Sequence, residues 1–205
     1  MSSTPTLSCF GPGMPKPRSL DRNVLGGKGA GLVEMTSMGL PVPPGFTLTT
    51  EVCAHWVETG RLPAGTQSEV EKAMARMGKA MGRHFAGAGE PLLVSVRSGA
   101  RVSMPGMMDT VLNLGLSPEK VEALAEATGN ARFAWDSYRR FVSMFGDVVL
   151  GLCSADHNPF ESILEKEKKK AGVELDHELD AAALRRVAIA SRNWVKKKTG
   201  KAFPD

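Results

Sequence analysis

The sequence predicts an α/β (α+β) protein with two parts, an α/β part over residues 1–116 and a helical part over residues 117–205. Up to residue 116, short runs with the alternation of strands are interspersed with helical apolar patterns. After residue 116, every periodic segment has the spacing of a helix. A length of 205 residues with 42% hydrophobic and 23% charged residues is typical of a globular protein, and it excludes a disordered or fibrous chain.

The first elements are predicted from prolines, glycines and apolar alternation. The prolines of residues 1–20 disfavour both a helix and a central strand, so we expect an irregular or extended lead-in there. A glycine-rich loop over residues 25–31 is predicted to lead into a short helix that ends before Pro41. Strands are predicted over residues 45–50, where apolar and polar residues alternate, and over the apolar, β-branched run 92–97.

Helices and a long loop complete the α/β part. One helix is predicted around His55 and Trp56, and another over residues 67–85. The second helix carries an apolar stripe formed by Val70, Met74, Met77 and Met81, which predicts packing against a sheet. Residues 98–109 have no clear period and are predicted to form a long loop, a kind of segment that commonly carries function.

The helical part is predicted mainly from its caps. Ser117, Asn158 and Asp180 are expected as N-caps, and Pro118 fits the first helical position. A helix over residues 131–152 is expected to bury one side, formed by the aromatic residues Trp135, Tyr138, Phe141 and Phe145 and by Val148. The charged run 165–170 is predicted to be a solvated helix end whose lysines face the C-terminal dipole.

Charge and cysteine content narrow the functional class. The 26 basic and 22 acidic residues leave a net charge of +4 and are interleaved, so we expect no nucleic-acid partner, and a small anionic ligand fits at least as well. Cys9, Cys53 and Cys153 are widely spaced, which predicts reduced thiols and neither a disulfide framework nor a zinc site. With no signal peptide and no apolar run long enough for a membrane span, we expect a cytoplasmic protein without a membrane partner.

Two glycine-rich segments, each with cations, predict a polyphosphate site. Lys28 lies among glycines at a helix start, and Arg97 leads into Ser98, Gly99 and Arg101. Glycines let a backbone approach phosphate closely, helix N-termini direct amides at it, and Lys or Arg adds charge-assisted hydrogen bonds. The first segment is neither a phosphate-binding loop of the GxxxxGK[ST] type nor a dinucleotide fingerprint, and taken alone it also fits a helix-start turn with a surface lysine.

The histidines and Asp109 give only weak indications of a catalytic or metal-binding role. The histidines at 55, 84, 157 and 177 are scattered, without a metal-binding or nucleophile motif, and are interpreted as structural or surface residues. Asp109 could orient a loop arginine or a metal-bound water, and it could equally be a turn residue.

Four segments in this order are more specific than any single motif. They are LGGKGAGLVEM at 25–35, GLPVPPGFT at 39–47, PLLVSVRSGARVSMPGMMDTVLNLG at 91–115 and FAWDSYRRF at 133–141. Together they strongly resemble the N-terminal part of the pyruvate, phosphate dikinase family. The resemblance runs from about residue 20 to the end of the sequence, and it implies part of an ATP-grasp nucleotide-binding domain.

The resemblance also implies roles for individual residues. Lys28 matches a lysine that contacts the nucleotide phosphates, and Arg97 matches an arginine of the same site. Residues 98–109 match a loop that covers the phosphates. The expected ATP- and phosphate-binding set is therefore Lys28, Arg97, Gly99, Arg101, Ser103, Gly106 and Asp109.

The family's reaction converts ATP, phosphate and pyruvate into AMP, diphosphate and phosphoenolpyruvate through a phosphohistidine. By the resemblance we expect ATP and Mg²⁺ as cofactors, with the magnesium ligands, the phosphohistidine and the pyruvate-binding barrel outside this chain. The chain is thus expected to be a fragment that is inactive alone, from a larger homodimeric phosphotransferase. A truncated domain would expose apolar faces, and we expect these around Trp194 and Phe203.

Two alternatives stay open from the sequence. One is a non-catalytic nucleotide-binding or interaction remnant that is complete as it stands. The other is a fragment of a related phosphoenolpyruvate synthase-type dikinase, although the run from Ser103 to Thr110 fits the phosphate-using enzyme better.

Overall fold

The computed structural model describes residues 6–85, 90–99, 109–154 and 156–204, and these form two compact units. The first holds residues 6–85 with Ser98 and Gly99, and the second holds the other described residues. The elements of the first unit are β1 (Leu7–Phe10), α1 (Arg22–Ser37), β2 (Gly45–Leu48), α2 (Thr50–Thr59) and α3 (Thr66–Met81). Those of the second are β3 (Val94–Arg97), β4 (Thr110–Leu114), α4 (Pro118–Thr128), α5 (Ala131–Met144), a π-helical turn (Phe145–Val149), α6 (Pro159–Ala171), a 3₁₀ turn (Asp176–Glu178) and α7 (Ala181–Thr199).

The predicted mixed fold class is confirmed, since helices accompany two small antiparallel sheets. Both β3 and β4 lie in the second unit with the helices. The division of the chain at residue 116 stays a prediction.

The sheet of the first unit includes a strand in the predicted lead-in. β1 pairs antiparallel with β2, with Leu7 opposite Leu48 and Phe10 opposite Gly45. No proline lies between Pro5 and Pro12, so Leu7–Phe10 is free to pair. The expectation of an irregular lead-in was therefore wrong for β1. The apolar–polar–apolar alternation of Leu7, Ser8 and Cys9 is the local signal that could have indicated this strand.

Helix α3 covers this sheet as its apolar stripe predicts. Ala73 packs with Leu7 and Cys9, and the partly buried Val70 lies against the same cluster. The stripe ends earlier than expected, because Met81 is 41% exposed next to the left-handed C-cap Gly82.

A long connection joins the strands of the second sheet. β3 and β4 are antiparallel, with Arg97 opposite Thr110, so residues 98–109 begin and end at paired positions. The pairing shifts register between Val94 and Val96, which places the extra residue on β4, where Asn113 has a φ of 59°. β4 was not predicted, and the predicted strand over 92–97 is confirmed as Val94–Arg97.

The helices of the second unit pack around the aromatic side of α5. Tyr138, Val142 and Leu184 are at most 1% exposed in one continuous core. The predicted N-caps are confirmed: Ser117, Asn158 and Asp180 each accept backbone hydrogen bonds from the first turn of their helices. The helix predicted over 131–152 is shorter, since α5 ends at Met144 and passes into a π-helical turn. Val148 lies in this turn and is 38% exposed, so its place on the buried side was predicted wrongly.

Two expectations about exposure were wrong in this unit. Phe203 is 3% exposed, because its ring packs edge-on against Phe141 and Phe145. Trp194 is half-buried and packs against Phe160. Phe141 of α5 and Phe145 of the π-helical turn thus cover Phe203. Phe160 of α6 covers Trp194, so neither residue lies on the uncovered face that was expected.

The charged run at the end of α6 is not uniformly solvated. Lys168 is 8% exposed, with its Nζ beside a carboxylate oxygen of Glu165 and 3.2 Å from Asp176 Oδ1. The hydrogen bond to Glu165 and then that to Asp176 raise the pKa of Lys168 against the opposing effect of desolvation. Lys168 therefore joins α6 to the 3₁₀ turn.

Candidate functional site

Lys28 lies at a helix start that is created by a break inside α1. Asp21 caps the first turn of α1, its side chain accepting 2.8 Å from the Asn23 amide. Gly26 then leaves helical geometry, with φ 69° and ψ 167°, before the helix resumes. The predicted glycine-rich loop over 25–31 was therefore wrong in its extent, because only Gly26 breaks the helix. Lys28 occupies the first turn after this break.

The ammonium group of Lys28 contacts a neutral partner. Its Nζ donates a 2.9 Å hydrogen bond to the carbonyl oxygen of Ser98, within the first unit. No ion pair joins Lys28 to any carboxylate of the described residues. The positive charge is thus positioned but not neutralised by a described group, which is the state required to attract an anion.

The glycines near Lys28 and Ser98 differ in how much space a Cβ would have at their positions. A Cβ at Gly29 would lie 2.9 Å from both Cγ2 and Oγ1 of Thr47, so Gly29 is needed for close packing of α1 on β2. At Gly31 and Gly99 no described atom lies within 4 Å of the added Cβ. Packing within the described residues therefore explains why a glycine is needed at position 29, but it does not explain the glycines at positions 31 and 99.

Arg97 is the last residue of β3, in the second unit, and its side chain is exposed. Its Nε donates to Ser95 Oγ at 3.3 Å, and no ion pair joins it to a described carboxylate. A guanidinium has five N–H donors in a planar fork, so one bond to Ser95 leaves donors for a bidentate anion.

The other expected phosphate-binding residues are only partly described. Asp109 is exposed and directly precedes β4. Arg101, Ser103 and Gly106 lie outside the described residues. The roles assigned to all seven residues of the expected set stay predictions.

The structure brings Lys28 to Ser98, seventy positions away in the chain. Sequence reasoning selected both segments through their glycines, but nothing in the sequence indicated that the Ser98 carbonyl accepts from Lys28. Such a contact has no local periodicity or cap pattern, so it is visible only in the folded chain.

No group of three or more His, Cys, Asp or Glu side chains suited to a metal ion occurs among the described residues. Of the histidines, His55 is half-buried on α2, and His84, His157 and His177 are exposed. The described side chains therefore offer no magnesium cage of their own.

Comparison with known proteins links the site to nucleotide binding. Residues 22–67, which include Lys28, match the family described as "Pyruvate phosphate dikinase, AMP/ATP-binding domain". The chain is 50% identical over 196 residues to pyruvate, phosphate dikinase of Rhizobium meliloti, covering 95% of this chain and 22% of that protein. It is 50% identical over 190 residues to the enzyme of Giardia intestinalis, with 93% and 21% covered, and 45% identical over 185 residues to that of Clostridium symbiosum, with 89% and 21% covered.

The resemblance that the four motifs indicated is thereby confirmed. The chain is similar over nearly its whole length to the N-terminal, AMP/ATP-binding part of these dikinases. It spans about a fifth of the length of these curated relatives. In the part of the chain that the structure describes, no helix is long and apolar enough to cross a bilayer.

Proposed function

We propose that this chain forms part of the ATP site of a pyruvate, phosphate dikinase, and that Lys28 and Arg97 neutralise the nucleotide phosphates there. The observation that carries this proposal is the state of Lys28. Its ammonium lies in the first helical turn after Gly26, within the AMP/ATP-binding match, and bonds only a neutral carbonyl among the described residues.

The helix start adds to the charge of the lysine. The backbone amides of a first turn carry partial positive charge and point away from the helix, toward any bound anion. A phosphate oxygen that replaces the Ser98 carbonyl at Lys28 Nζ would exchange a neutral acceptor for a charged one. Such charge-assisted bonds are roughly twice as strong as neutral ones.

Arg97 serves the same ligand in this proposal through the N–H donors that no described residue occupies. Phosphoryl transfer depends mainly on positioning and on neutralising negative charge, and a lysine and an arginine supply both without forming a covalent intermediate. Gly99, Arg101, Ser103, Gly106 and Asp109 complete the proposed phosphate contacts.

The complete reaction belongs to the proposal as well. A longer polypeptide supplies the phosphohistidine, the Mg²⁺ ligands and the sites for phosphate and for pyruvate or phosphoenolpyruvate. It works as a cytoplasmic homodimer, and this chain contributes binding groups but no catalytic histidine.

The test compares ATP-dependent phosphorylation of the longer polypeptide with that of its Lys28→Ala and Arg97→Ala variants. Losing one charged hydrogen bond, worth about 1.5–3 kcal/mol, weakens ATP binding by roughly 10- to 100-fold. We expect each single variant to lose most of its phosphorylation at limiting ATP, and the double variant to lose all of it.

The matched control is Lys79→Ala, which removes an exposed lysine of α3 outside the expected set. Phosphorylation of this variant should equal that of the parent protein. Normal phosphorylation of the folded double variant, checked by circular dichroism, would refute the proposed roles.

A further inference from the structure

We propose that a groove between α5 and α7 binds an acidic helical segment of a protein. The groove has a volume of about 340 Å³ and lies wholly within the second unit. Its lining comprises Pro118, Trp135, Tyr138, Arg185, Ile189, Arg192 and Asn193. The lining is basic and apolar and includes no acidic residue, so its charge is complementary to an acidic partner.

Arg185 provides the strongest argument for an anionic partner. Its guanidinium carbon lies 5.3 Å from the centre of the Trp135 ring, and the residue is exposed. No hydrogen bond or ion pair joins it to any other described residue. Stacking on the indole fixes the plane of the guanidinium while leaving its N–H edge available, an arrangement suited to a carboxylate.

Arg192 marks the second basic position of the groove. Its Nη1 donates a 2.6 Å hydrogen bond to the hydroxyl of Tyr138, which is only 1% exposed. Its guanidinium also lies 5.8 Å from the ring centre of Phe203. These contacts to buried groups position Arg192, so a partner would meet it without having to order a mobile side chain.

The spacing of the groove residues determines what kind of segment fits. Arg185 and Arg192 are seven positions apart on α7, a distance of about 10.5 Å along the helix axis at about 1.5 Å per residue. Between them lies Ile189, an apolar side chain that is 45% exposed. A helix that presents two carboxylates two turns apart with a leucine between them matches this order of charge and apolar surface.

The probe is a synthetic helical peptide with glutamates seven positions apart and a leucine midway between them. Its binding to the longer polypeptide is measured by isothermal titration calorimetry. We expect binding to weaken at least about tenfold in Arg185→Gln and in Ile189→Ser, since each removes a central contact.

Arg186→Gln is the matched control, because it makes the same change in charge at the neighbouring position. Arg186 does not line the groove, and its Nη2 lies 2.6 Å from Glu167 Oε1. Binding by this variant should stay within about twofold of the parent protein. Thermal unfolding of each variant shows that the groove is still folded.

Three results would overturn the proposal. The first is no binding of the peptide by the parent protein. The second is an equal loss of binding in Arg185→Gln and Arg186→Gln, which would indicate attraction by net charge alone. The third is displacement of the peptide by diphosphate at an equal concentration, which would identify a small-anion site.

Discussion

Gly29 and Thr47 are packed so closely that a Cβ on Gly29 would lie 2.9 Å from two side-chain atoms of Thr47. Thr47 belongs to β2, and Gly29 follows Lys28 in α1. This contact therefore sets the distance between β2 and the helix that carries Lys28. The position of Lys28 thus depends on the absence of a side chain at its neighbour.

Gly29→Ala is therefore expected to destabilise the first unit by about 1–3 kcal/mol, the usual effect of overpacking. Gly31→Ala is the matched control on the same helix, where no described atom lies within 4 Å of the new Cβ. That change should stabilise the unit by about 0.5–1 kcal/mol, because alanine favours a helix over glycine. Urea unfolding measures both, and equal effects would contradict the packing role of Gly29.

Lys28→Met is expected to lower ATP affinity strongly while changing the free energy of unfolding only slightly. The hydrogen bond to Ser98 is exposed, so its loss should change the free energy of unfolding by no more than about 1 kcal/mol. ATP affinity should fall much further, by roughly 10- to 100-fold, if the ammonium binds phosphate. Chemical unfolding and nucleotide titration of the longer polypeptide give the two values, and a large loss of stability with unchanged affinity would assign Lys28 a structural role.

The three thiols are expected to react at different rates. Cys53 is exposed on α2, whereas burial raises the pKa of Cys9. Desolvation and the nearby Asp147 carboxylate raise the pKa of Cys153 to about 11. Because the thiolate is the reactive form, iodoacetamide at pH 8 should modify Cys53 first. Peptide mass spectrometry during the reaction checks this order, and Cys153 reacting as fast as Cys53 would contradict it.

Glu178 is expected to make stability depend on pH in the acidic range. Its carboxylate accepts from the amides of Leu175, at 2.7 Å, and Glu174, at 3.1 Å, and these bonds lower the pKa of Glu178. A carboxyl with a lowered folded-state pKa adds stability above its unfolded pKa of about 4.3. This contribution disappears as the pH falls through the lower folded value.

Glu178→Gln should therefore unfold at a lower urea concentration than the parent protein at pH 7, with the difference shrinking toward pH 3. Glu122→Gln, on the exposed face of α4, is the control and should show little difference at either pH. If the difference in stability between Glu178→Gln and the parent protein instead grows as the pH falls, the prediction is contradicted.

Much of this architecture follows from local sequence. Ser117, Asn158 and Asp180 could be predicted as N-caps because a cap depends only on its own side chain and the next three amides. The mixed fold class and the family resemblance also come from segments that are contiguous in the chain. The strand at residues 7–10 was missed because its only local signal is the short alternation of Leu7, Ser8 and Cys9, and its partner β2 is distant in sequence.

The sequence by itself determined the helix caps, the mixed class and the selection of Lys28 and Arg97 as anion-binding candidates. Only the tertiary structure decided that Lys28 donates to Ser98, that Lys168 is buried between Glu165 and Asp176, and that Phe203 lies in the aromatic core. The reason is physical: caps and periodicity act over one or two turns of chain, whereas burial and long-range pairing depend on which elements the whole fold brings into contact.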